Sequence, residues 1–64
     1  MFKPVFQGQQ FSYSYEAETK NYLFFENNHK SHTFLKGKDA RLFQKQIAHY
    51  CTLSEIENLI KFFL

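Results

Sequence analysis

The chain has 64 residues, 44% of them hydrophobic and 20% aromatic, with nine Phe, four Tyr and no Trp, and it carries a formal net charge of +2. This composition excludes a tail held open by charge and leaves room for one small domain only. The excess of basic over acidic residues is too small to imply a polyanionic ligand by itself, and no apolar run reaches the roughly 18 residues of a membrane span.

Residues 1–10 read as an amino-terminal arm containing the only proline, Pro4. From Phe11 to Ala17 the pattern alternates, with Phe11, Tyr13, Tyr15 and Ala17 on one side and Ser12, Ser14 and Glu16 on the other, the period-two signature of a half-buried strand. Glu18 to Asn21 is a polar break of hairpin length. Tyr22-Leu23-Phe24-Phe25-Glu26 follows as a second strand, apolar on both faces and therefore central. Asn27-Asn28-His29-Lys30 predicts a turn, because Asn tolerates left-handed backbone, and His32 to Lys36 predicts a third strand.

Gly37 ends that strand and frees the backbone to redirect, after which the apolar period changes to about 3.6. A helix is expected from Asp39 as its N-cap, with Leu42, Phe43, Ile47, Tyr50 and Cys51 on its apolar stripe. Thr52-Leu53-Ser54-Glu55 fits a capping box for a second helix, whose stripe is Leu53, Ile56, Leu59, Ile60 and Phe63, extended by Phe62 and Leu64. The expected fold is α+β and occupies residues 1–64 as one domain. A three-stranded antiparallel β-meander (11–36) is followed by two α-helices (39–64) packed on one of its faces.

Four ligand-type side chains occur as His29-x-x-His32 and His49-x-Cys51. Residues two apart on a helix point roughly 200° away from each other, which argues against both a zinc site and a Cys51 nucleophile with His49 as its base. The expected Cys51 is a small thiol packed at the helix junction. With two glycines and no phosphate-cradling or nucleophile-elbow motif, neither an enzyme nor a cofactor, metal or small-molecule substrate is expected. One cysteine and a start without the apolar segment of a signal peptide make the cytoplasm the expected location.

Two surfaces remain as candidates. The first is an aromatic surplus without assigned cover, Phe2, Phe6, Tyr22, Phe24 and Phe62, a patch suited to a protein partner or a second copy of the chain. The second is basic: Lys36, Lys38, Arg41 and Lys45, with Lys30 nearby, three of them at helical spacing. A helix-turn-helix use of these is opposed by Glu55 and Glu57 on the second helix, whereas the first helix, or sheet aromatics such as Tyr13 and Tyr15, could still meet nucleic acid. The leading expectation is a small non-enzymatic interaction module or adaptor, binding through an aromatic sheet face or edge strand. The alternatives are a nucleic-acid-binding regulator and, on size alone, an inhibitor of phage or mobile-element type that blocks a host enzyme.

Overall fold

In the computed structural model, which describes residues 1–29 and 31–64, four strands precede two helices: β1 Lys3–Gln7, β2 Phe11–Glu16, β3 Asn21–Glu26, β4 His32–Leu35, α1 Gly37–Ile47 and α2 Leu53–Phe63. The strands form one antiparallel meander in the order β1-β2-β3-β4. The fold is therefore α+β as expected, but the sheet has four strands, not three, because the amino-terminal arm pairs with β2 as an edge strand.

A bulge explains how the arm serves both sides of the sheet. Pro4 pairs with Ser14 and Phe6 with Tyr13, so Val5 is the extra residue of a register shift. Pro4 and Phe6 would share a face in a regular strand. The shift turns Phe6 onto the helix side, where its ring stacks on Tyr13 at 5.6 Å, and leaves Pro4 on the opposite side. Proline and a bulge also blunt this edge against further strand pairing.

Directly opposed residues share a face, so the register sorts the aromatics. The helix face carries the rows Phe6–Tyr13–Phe24–Thr33 and Tyr15–Tyr22–Leu35. The opposite, open face carries Pro4–Ser14–Leu23–Phe34 and Gln7–Ser12–Phe25–His32. Phe43 descends from α1 into the first set with 0% exposure, at 5.3 Å from Tyr13, 4.8 Å from Tyr22, 4.8 Å from Phe24 and 5.5 Å from Phe63, all edge-on. Ile60 of α2, Ala40 of α1, Phe11 and Leu35 complete the core. Burial pushes the Tyr22 phenol up to about 12, with Tyr15 and Tyr13 adding to the effect, and burial also raises Tyr13.

α1 begins at Gly37, two residues before Asp39, with Lys36 as an N-cap that makes no side-chain bond; Asp39 sits in the first turn, where its charge suits the helix dipole. Gly37 has φ +65, the left-handed value that turns the chain from strand to helix. The buried stripe of α1 is Ala40, Phe43 and, in part, Ile47, whereas Leu42 turns away from the sheet. The small Ala40 lets the helix approach closely enough for Phe43 to reach the rings beneath it.

The start of α2 is fixed from two directions. Thr52 Oγ1 accepts from the Glu55 N–H at 3.3 Å and donates to Glu55 Oε1 at 2.7 Å, a variant of the capping box in which the hydroxyl, rather than the Thr52 backbone N–H, meets the carboxylate. One turn on, Glu57 Oε1 accepts from the backbone N–H of Gln10 at 2.6 Å and of Phe11 at 2.9 Å, fastening α2 to the β1–β2 turn. The Gln10 and then the Phe11 bond hold its pKa below the ordinary 4.5.

That depression has a defined pH signature. The unfolded chain carries Glu57 at its ordinary value, so the stability it contributes is fully present above about pH 4.5 and is lost as pH falls through the lower folded value. Glu57→Gln is expected to be less stable near neutrality and to show a shallower loss on acidification. Urea unfolding of both proteins between about pH 7 and pH 3 reads this, and parallel curves would contradict it.

Candidate functional site

The apolar and basic residues singled out in the sequence are divided by the fold among four environments. Tyr22 and Phe24 are 5% and 1% exposed and form the core, not a surface, because their strand positions place them under Phe43. The outward residues of β3 are Leu23 and Phe25, both half-buried. Tyr13 is likewise buried, which removes it from any base-stacking platform. Phe6 is half-buried against Tyr13. Phe2 reaches across the open face and sets its ring edge-on to Phe34 at 5.9 Å.

Phe62 is different. It is 80% exposed, projects from the last turn of α2, and sets its ring edge-on to Phe63 at 5.6 Å. Beside it lies a groove of about 370 Å³ between the two helices, lined by Leu42, Gln46, Tyr50, Leu59, Phe62 and Phe63. A second hollow of about 320 Å³ shares Tyr50, Leu59 and Phe62 and continues towards Glu55 and Asn58. The stripe that would have made α1 wholly core-facing is thus split: Phe43 goes inward, and Leu42, 44% exposed, joins α2 in lining the groove.

Lys36, Lys38, Arg41 and Lys45 are all exposed. Lys36 stands where β4 gives way to α1, and the other three lie within about 60° of one another on the α1 wheel at roughly 100° per residue. Lys38 and Lys45 border Leu42 on its solvent side. The ion pairs among the described residues are Met1 α-amino with Glu16 and His29 with Glu26, so none of these four cations has an anionic partner there. Lys30 lies outside the described residues. On α2, the half-buried Glu57 accepts from the backbone amides of Gln10 and Phe11 at the start of β2, while Glu55 is exposed.

Among the described residues no group of three or more His, Cys, Asp or Glu side chains could hold a metal ion. His29 Nε2 lies 3.6 Å from Glu26, and the His32 ring lies 6.2 Å from Phe25. Cys51 is exposed between the helices in sequence, not packed at their junction. Among the described residues no helix is long and apolar enough to cross a membrane.

Among the described residues, apolar side chains gather on the open sheet face, in the helix groove and in a hollow of about 380 Å³ beside Met1, Val5 and Tyr15. The sheet face is partly closed from within by Phe2 on Phe34, whereas the groove has Phe62 80% exposed at its rim. No family model, curated protein or solved structure matches the chain.

Proposed function

We propose that this chain is a non-enzymatic protein-interaction module that docks a partner in the groove between α1 and α2. The observation that carries this reading is Phe62, 80% exposed at the rim of a groove that Leu42, Tyr50, Leu59 and Phe63 also line. Leu42, Leu59 and Phe62 together make a contiguous apolar surface, which serves association and otherwise invites aggregation. An aromatic anchor at the rim of a preformed hollow is the arrangement that concentrates binding energy in few residues.

A photo-crosslinking amino acid placed at Phe62 in the native host is expected to yield one discrete protein adduct that persists after nuclease treatment. The same probe at Thr19, in the exposed β2–β3 turn, should yield none. Equal adduct patterns at both positions, or an adduct removed by nuclease, would overturn the proposal.

A further inference from the structure

We infer that the occupant of the groove is an acidic amphipathic helix of a partner protein, an inference that rests on the docking role proposed above. The lining supplies the apolar half of the argument. Leu42 and Gln46 lie four apart on α1, Leu59 and Phe63 four apart on α2, so each helix presents a ridge one turn long and the space between them accepts the ridge of a third helix. An α1 of 11 residues is about 16 Å long, which matches about three turns of a partner.

Charge supplies the other half. Lys38 and Lys45 border Leu42 on the α1 rim, with Arg41 further round the helix, and none of the three forms an ion pair among the described residues, while the α2 rim carries Glu55 and Asn58. The two rims therefore differ in sign, and carboxylates on one flank of the incoming helix would face α1. A second copy of this chain fits less well, because copies that juxtaposed their α1 stripes would bring like charges together. Nucleic acid also fits less well, since the exposed Leu42 beside the basic stripe and Phe62 on α2 offer apolar area, not charge, to phosphates at the groove.

The test uses the isotope-labelled full chain and two synthetic amphipathic peptides of about 14 residues with identical Leu and Phe positions, flanked by Glu in one and by Gln in the other. Amide shifts of Leu42, Gln46, Leu59 and Phe62 report occupancy. The Glu peptide is expected to bind about tenfold or more tightly than the Gln peptide, with the advantage shrinking as salt is raised. In Lys38→Glu/Arg41→Glu/Lys45→Glu, which alters exposed side chains only, that advantage should vanish while the Gln peptide still binds. Equal binding of both peptides overturns the acidic-partner inference and leaves the docking role standing. No shift with either peptide overturns both. An oligonucleotide of similar length that moves the same amides at lower concentration assigns the stripe to nucleic acid instead.

Discussion

Phe43→Ala is expected to unfold this protein. Phe43 has no exposed surface and joins the sheet to both helices, its ring meeting Tyr13, Tyr22, Phe24 and Phe63. Truncating a fully buried Phe costs about 3–5 kcal/mol through lost burial and the cavity left behind. A single core in a chain this short supplies about the same amount, roughly 3–5 kcal/mol, so the variant has little or no stability left. Phe43→Leu, which keeps most of the volume, should remain folded at a cost of about 1 kcal/mol. Far-ultraviolet circular dichroism with urea titration of both variants reads the difference. A cooperative Phe43→Ala transition near the wild-type midpoint would contradict the packing described.

Gly8→Ala is the second large effect, and its reason is close approach, not backbone conformation. A Cβ on Gly8 would stand 2.5 Å from Glu57 Oε1, 2.7 Å from the Phe11 carbonyl oxygen and 2.8 Å from Phe6 Cε2. The carbonyl belongs to the turn itself, since Gly8 N–H donates to it at 2.8 Å, and Asn27 Nδ2 donates to the Gly8 carbonyl at 2.9 Å. Glu57 cannot yield without releasing the amides of Gln10 and Phe11. Overpacking of this kind costs about 1–3 kcal/mol. Placed in a Glu57→Ala background, Gly8→Ala should cost less, because the nearest obstacle is gone; additive losses in the four-protein cycle would show that Glu57 and Gly8 do not act together.

Glu57 marks the limit of what the sequence makes legible. Its spacing on α2 places it with polar neighbours, and nothing local indicates that its carboxylate binds two backbone amides 47 and 46 residues away. β2, β3 and the Thr52 cap are written in short-range pattern, alternation in one case and hydroxyl-to-carboxylate spacing in the other. β1 is not, because its bulge at Val5 breaks the period of two and Pro4 lowers strand propensity, so Lys3–Gln7 reads as an arm.

The candidate site shows the same division. Phe62 and the Lys38, Arg41 and Lys45 stripe follow from helical periodicity and appear on the surface. Tyr22 and Phe24 could not be distinguished from Leu23 and Phe25 without knowing which face of an apolar-on-both-sides strand meets the helices. Leu42 leaves the expected core stripe for a related reason: adjacent Leu42 and Phe43 are about 100° apart on the wheel, and the helix rotation that buries one exposes the other.

The central claim is that Phe62 serves association and not folding, and Phe62→Ser tests it in one protein by two readings, its urea unfolding free energy and its peptide binding at the groove. Stability within about 0.5 kcal/mol of wild type, together with loss of partner binding, is the predicted result. A loss of about 2 kcal/mol or more would place Phe62 in the core, and unchanged binding would remove it from the interface; either result would contradict the account.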